Sequence, residues 1–428
     1  MSRSKGEDRR YHSARMMRLL LEHEAGDPAK YASLAGELAK ETKAAGAWHH
    51  AREFWTIKAL WHRRAGEVVE ERLAAIAAAE TYVQQSQDRL INQTAAPYMH
   101  AAGDLNFAIE ALRRIHGTQE RVNELHHRLL DYEKRSTSEF HSVDSGPIDL
   151  NEPATQAKQK VKGKSFHDAI LTLAFMMNPT DFAATRKMAE ERFKSPIFKL
   201  FPSTRTNALG KVIGRQSSLG ASSPEEAEGA ILDEMFDVAS HSWNLHAVGV
   251  IDPARQQIKE DHEVRINDFR TLVINNPLVP QGREILFARG LHAGLLGDFV
   301  TSTHLLIPQL EHALRCVLEA NGEVTSGIDP EGIQREFDLN TLLKTSRMSG
   351  PLVKIFGEDF VFDLRGLLVE AFGANLRNEV AHGLLSVNQM YSYASRYVWW
   401  LTLRMCCLPI LARMHGSDAR VDTADEGI

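Results

Sequence analysis

Apolar residues recur three and four positions apart through most of residues 11 to 134, the spacing that lines one face of an α-helix. Alanine, leucine, glutamate and arginine fill this stretch, and all four are strong helix formers. Short breakers interrupt it at Ala25-Gly26-Asp27, Ala45-Gly46-Ala47, Ala65-Gly66-Glu67 and Ala102-Gly103-Asp104. Each suits a turn between antiparallel helices, because glycine accepts positive φ and the acid can cap the next helix. After residue 165 the helical spacing returns. FHDAILTLAFMMN predicts a buried helix, and ARQQIKEDHEVRINDFRTLVIN, 254 to 275, predicts a long one. Asn276-Pro277 begins a break. REILFARGLHAGLLGDF and VTSTHLLIPQLEHALRCVLEANG follow as helices, then a polar loop over 321 to 337. A helix is predicted from about Phe360 to Phe372 with Gly373 as its C-cap. Ser386 with Gln389 makes a capping box that opens the last helix. No stretch alternates with period two, so the fold class expected is all-α.

The last two breakers begin 37 residues apart, near the roughly 34 of a tetratricopeptide array. The N-terminal region therefore resembles degenerate tetratricopeptide-like helical hairpins, whose concave face implies a protein partner. A plain helical bundle explains the same pattern. The expected division is a helical-repeat domain at 1–140 and a linker at 141–165, where serine, proline and glycine lack periodicity. A helical middle region at 166–255, a C-terminal helical bundle at 256–416 and a flexible tail at 417–428 complete it.

A chain of 428 residues, 43% hydrophobic and 25% charged, can bury a core in two or three domains. Its net charge of −6 argues against coating nucleic acid through bulk charge. The charge is nevertheless uneven. From Lys158 to Arg215 twelve bases face four acids, and from Gln216 to Glu263 two bases face ten acids. One reading is a basic RNA-facing surface led by Lys158, Lys160, Lys162 and Lys164. The other is two segments that pack on each other or are simply solvated. Three cysteines, Cys316, Cys406 and Cys407, have no framework spacing and fit a reducing, cytoplasmic setting. The first residues lack the apolar core of a secretory signal. Arg404 and Pro409 interrupt the most apolar window, 397 to 414, which reads as a core helix and leaves no membrane span.

Candidate chemistry lies in LRNEVAHGLLS, residues 376 to 386. Arg377 brings a five-donor fork that suits phosphate oxygens. An imidazole such as that of His382 can take up a proton and return one near neutral pH. Asn378, four positions before His382, would share its helical face, so its amide could orient the ring. Arg377 would lie about 140° round the helix from His382, so the two would flank a cleft. Ala381 and Gly383 leave room for a ribose-phosphate backbone. These are the parts for RNA cleavage without a metal. A base takes the proton of the 2′-hydroxyl, the oxyanion attacks the adjacent phosphorus, and a cation holds the charge that builds there. DNA lacks that hydroxyl.

Arg-x4-His with a polar residue after the arginine resembles the active-site motif of HEPN-domain ribonucleases. More narrowly, RNEVAHG is similar to the RNxxxHG signature of a domain family of bacteria and eukaryotes, one member of which degrades RNA at the endoplasmic reticulum. The run from Arg283 to Leu318 is also similar to that family, and the likeness covers roughly 265 to 413. It implies a HEPN-like bundle that dimerises so that two motifs share one cleft, with Arg377, Asn378 and His382 as the catalytic set. It also implies 2′,3′-cyclic-phosphate and 5′-hydroxyl products and neither metal nor cofactor. Bacterial members commonly act as toxins or antiphage effectors governed by a fused sensor. The alternative is a non-catalytic HEPN-like scaffold that dimerises or binds nucleotides, with Arg377 paired to an acid such as Glu311 or Glu370. Glu311 could support Arg377, although Arg315 at i+4 suits it equally. His49–His50 and His126–His127 are neighbours that point about 100° apart on a helix, so neither pair chelates alone. His292 and His304 read as core or surface residues.

Overall fold

In the computed structural model, three of the four glycine breaks are turns. The structure describes residues 12–92, 94–140, 146–194, 204–207, 210–215 and 223–422, with side chains to 413. Helices α1 (His12–Glu22), α2 (Pro28–Ala44), α3 (Trp48–Ala65) and α4 (Val68–Ile91) are separated at Gly26, Gly46 and Gly66. All three glycines have positive φ, 93°, 70° and 76°. Asp27 accepts hydrogen bonds from the N–H groups of Ala29 and Lys30 and so caps α2. The fourth break is a correction. Gly103 lies inside α5 (Pro97–Arg113). That helix starts at Pro97, whose fixed φ suits a first position. Asp104 pairs with Arg89 at 2.5 Å instead of capping. The 37-residue spacing therefore does not join two turns. Helix α6 (Gln119–Ser136) follows, and from α3 to α6 each helix packs on the one before it, while α1 packs on α3. Met17, Ala35, Ile57 and Trp61 centre one apolar cluster, and Leu105, Ala108, Leu112 and Leu125 another.

The chain divides into two compact units, one of residues to 145 with 206–213, the other of 146–205 with 214 onward. The segment expected to be a linker holds a helix, α7 (Asn151–Val161), although 141–145 lie outside the described residues. Ala157 and Val161, one turn apart, are buried in the core of the second unit, which gives this polar helix its anchoring face. Helix α8 (Phe166–Phe175) is the expected buried helix, capped by Ser165. Helix α9 (Phe182–Phe193), strands β1 (Thr204–Thr206) and β2 (Val212–Arg215), and α10 (Pro224–His246) follow.

The long helix expected over 254–275 is not continuous. α11 (Asp252–Asp261) stops, and Asp268 accepts from the Arg265 N–H at 2.7 Å, which opens a short 3-10 turn and then α12 (Arg270–Val273). Helices α13 (Glu284–Leu296) and α14 (Phe299–Ala320) form an antiparallel pair. The polar loop holds β3 (Ser326–Ile328) and β4 (Gln334–Glu336), paired antiparallel with Ser326 opposite Glu336. Helices α15 (Leu339–Lys344), α16 (Ser346–Phe356) and α17 (Glu358–Leu368) lead to the motif.

Helix α17 ends at Leu368, short of Phe372, and Gly373 does not cap it. Gly373 instead lies against the backbone of Gly366, where an added Cβ would sit 1.8 Å from the Gly366 carbonyl oxygen. The Ala374 N–H donates to that same oxygen at 2.9 Å. The motif occupies α18 (Leu376–Ala381). The Ser386–Gln389 box is present, but it opens a short helix, α19 (Val387–Met390), before α20 (Tyr393–Asp422) begins. Residues 417–422, expected as a loose tail, are helical, and 423–428 lie outside the described residues.

Helix α20 runs through the core. The indole N–H of Trp399 donates to Leu291 O and that of Trp400 to Leu173 O, each at 2.9 Å. Arg404 donates to the carbonyls of Ala174 and Met177, so the charge in this apolar run serves the end of α8. Cys406 and Cys407 are buried free thiols, and burial pushes that of Cys407 up to about 12. The fully buried Asp363 accepts from the Thr180 N–H, the Trp243 indole and the Tyr397 hydroxyl at 2.9, 2.7 and 2.9 Å. The chain is mainly α, with only these short strand pairs among the described residues. None of its described helices is long and apolar enough to cross a membrane.

Candidate active site

Asn375 opens the site with a left-handed backbone, φ 47°. It turns the chain from the Gly366–Gly373 contact into α18. Leu376 is buried and pins this short helix, while Arg377 and Asn378 are half-buried beside it. His382 follows the last turn, its N–H bonded to Asn378 O at 3.0 Å, and Gly383 leads away at φ 64°. Residues 381 to 384 are exposed, so the segment rises from core to solvent within two turns.

The guanidinium of Arg377 is held on two sides. Its Nε donates to Glu311 Oε2 at 3.2 Å, and its Nη1 donates to Asn378 Oδ1 at 3.1 Å. Asn378 in turn donates to Asn375 Oδ1 at 2.6 Å. Nη2 of Arg377 has no partner among the described residues. This corrects the sequence expectation for Asn378, whose amide meets Arg377 and Asn375 rather than the ring of His382. The cause is rotamer reach: the amide folds back along α18, and only the backbone carbonyl of Asn378 meets residue 382. The His382 ring is exposed and makes no hydrogen bond or ion pair among the described residues.

Glu311 serves both arginines that the sequence offered it. Its Oε1 accepts from Arg315 Nη2 at 3.3 Å while Oε2 takes Arg377. Arg315 also donates to Phe337 O at 2.9 Å, which ties α14 to the end of the β3–β4 hairpin. Burial works against the charge of Asp338. Hydrogen bonds from Thr341 and Asn340, with the nearby Arg377, nevertheless hold its carboxyl below the ordinary range. Glu370 is engaged elsewhere, with Arg365 at 2.7 Å and Lys344 at 3.0 Å. The adjacent Asp233 carboxyl is pushed up to about 7, by burial first and then by Glu370. Asn375, which holds the Asn378 amide, and Asp338, whose carboxyl feels the charge of Arg377, carry no signal in local spacing.

Two further histidines of this unit meet backbone carbonyls. His292 contacts Val264 O at 3.2 Å, and the exposed His304 contacts Val300 O one turn back at 2.8 Å. His49 and His50 share α3 with ring centroids 6.4 Å apart, and His126 and His127 are exposed on α6.

Much of the uneven charge is internally matched. Arg186 on α9 makes two 2.6 Å bonds to Glu228 on α10, Arg192 pairs with Glu234 at 2.5 Å, and Arg205 with Asp237 at 3.3 Å. Lys158, Lys160, Lys162 and Lys164 remain exposed, at the end of α7 and just after it, with Lys164 donating to Thr172.

Comparisons with models of protein families, with curated proteins and with solved structures find no match to this chain.

Proposed function

We propose that the chain is a metal-independent endoribonuclease of HEPN type. Arg377 is its phosphate-holding cation and His382 its proton-transfer group. The observation that carries this reading is the asymmetry of the motif. Arg377 is oriented by Glu311 and Asn378 yet keeps one terminal nitrogen open, while His382 stands in solvent with no structural partner. A cation fixed in direction and an unengaged imidazole suit phosphoryl-oxygen stabilisation and proton transfer. On this reading the bundle pairs with a second copy so that two motifs share a cleft. The helices of residues 12–136 act as tetratricopeptide-like sensor or partner-binding hairpins, and the protein serves as a toxin or antiphage effector in the cytoplasm.

The opposing reading is a dimerisation or nucleotide-binding scaffold, favoured by the ion pair of Arg377 with Glu311. Purified protein incubated with total RNA in EDTA separates the two. The expected outcome is cleavage with 2′,3′-cyclic-phosphate and 5′-hydroxyl ends. Intact RNA, or cleavage that EDTA abolishes, sinks the proposal.

The exposed lysines give a second expectation. Replacing Lys158, Lys160, Lys162 and Lys164 by glutamine should weaken RNA binding. It should also flatten the plot of log affinity against log salt by up to about 0.7 for each phosphate that goes unneutralised. A slope equal to that of the unaltered protein would remove these lysines from the interface.

A further inference from the structure

The exposed face of α14 joins Arg377 to a second arginine that no acid occupies. Ser302 Oγ donates to Gly290 O at 2.9 Å, and a Cβ on Gly290 would meet Leu306 at 2.5 Å. These contacts fix the register of the antiparallel pair α13–α14, with Gly290 level with residues near 304. Seven residues back, about two turns, Arg283 stands at the N-cap of α13. The same two turns along α14 reach Glu311 and His312. Arg283 is exposed and its side chain has no ion pair or hydrogen bond among the described residues. Its positive charge also reaches the Cys316 thiol, one turn beyond His312.

Around α14 at this level the order follows from about 100° per residue. Ala313 faces α13 and is buried; Cys316 and His312 come next and are partly open; Arg315 and Glu311, with Arg377 beyond, lie furthest round. One guanidinium therefore stands on each side of a helix roughly 10 Å wide, with the His312 ring between them.

We propose that Arg283 and His312 form a second phosphate-binding subsite, which holds the backbone of single-stranded RNA one or more nucleotides away from the phosphate at Arg377. Arg283 supplies an unneutralised fork for phosphate oxygens. His312, with the Cys316 thiol 3.8 Å from both ring nitrogens on one side, supplies a ring N–H donor or its other face for a base to stack on. Both are binding residues with no part in the proton transfers. The inference takes its ligand class from the ribonuclease reading above, but its test does not depend on cleavage.

The probe is a fluorescent single-stranded 2′-O-methyl oligoribonucleotide, which lacks the attacking hydroxyl and cannot be cut. Its affinity is measured by anisotropy over a series of salt concentrations. Arg283→Gln should raise Kd on the order of tenfold and shrink the salt slope by about 0.7. Arg283→Lys should keep the slope, and His312→Ala should weaken binding without altering it. On cleavable RNA, Arg283→Gln should raise KM and leave kcat in place. Unchanged Kd and slope in Arg283→Gln overturn the subsite, as does a slope that falls equally in Arg283→Lys or a protein that binds no RNA. If the unaltered protein binds but does not cut, and Arg283→Gln still weakens binding, the subsite stands and the ribonuclease reading falls.

Discussion

Replacing His382 by alanine is expected to reduce RNA cleavage on the order of 10²- to 10⁴-fold, the usual worth of a positioned acid–base group. It should leave the fold alone. The imidazole is exposed and bonds to nothing among the described residues, so its removal creates no cavity and strands no donor. Surface changes of this kind usually shift stability by less than about 0.5 kcal/mol. Loss of cleavage with an unchanged melting temperature is thus the signature, read by gel assay and calorimetry on the same preparation. Arg377→Gln makes the informative contrast. It too should abolish cleavage, but it also leaves Glu311 with only Arg315, so some stability should go with it. Cleavage by His382→Ala at the rate of the unaltered protein would remove the acid–base role.

Asp363 should dominate stability as His382 dominates activity. It is fully buried and accepts from a backbone N–H, an indole and a hydroxyl. Asp363→Ala leaves these donors without their carboxylate, at roughly 1–3 kcal/mol for each stranded group before relaxation. Although Trp243 retains Thr180 Oγ1 as a second acceptor, a net loss of about 3–5 kcal/mol follows. Denaturant titration measures it, and a loss under about 1 kcal/mol would show that the network is slack.

The same residue sets a pH dependence. Burial pushes its carboxyl up to about 6 from an ordinary 3.8. The folded state then keeps its proton to higher pH than the unfolded chain. As pH rises through that window the unfolded chain ionises first, so stability falls, and above about 6 the penalty is constant. Asp233, pushed up to about 7, acts in the same direction, so the quantity to follow is the difference between the unaltered protein and Asp363→Asn. That difference should move against the unaltered protein by on the order of 2 kcal/mol between pH 4 and pH 7. A flat difference would mean that Asp363 ionises as easily inside as out.

The helical class was legible from spacing alone, since a period of 3.6 survives whatever the helices later touch. So were the turns at Gly26, Gly46 and Gly66, where a left-handed residue is needed. Gly103 misled because a glycine inside a helix looks the same in sequence as one after it, while Pro97 carried the true start. The polar composition of α7 hides the Ala157–Val161 pair by which it packs. At the candidate site, the neighbours within α18 could be read from the sequence. Helical spacing sets Asn378 on one face with His382 but leaves its rotamer open, and the rotamer turns its amide to Arg377 and Asn375. Glu311 lies 66 residues from Arg377, and its simultaneous grip on Arg315 is a fact of tertiary geometry.

The meeting of Gly366 and Gly373 has a bearing on how this region can vary. Two main-chain segments touch there with no room for a methyl group on Gly373, and α18 begins three residues later. The direction in which the arginine projects is inherited from peptide planes seated on α17. Drift among surface side chains nearby would leave that bearing intact, whereas a single added carbon at Gly373 would swing the whole motif on its mount.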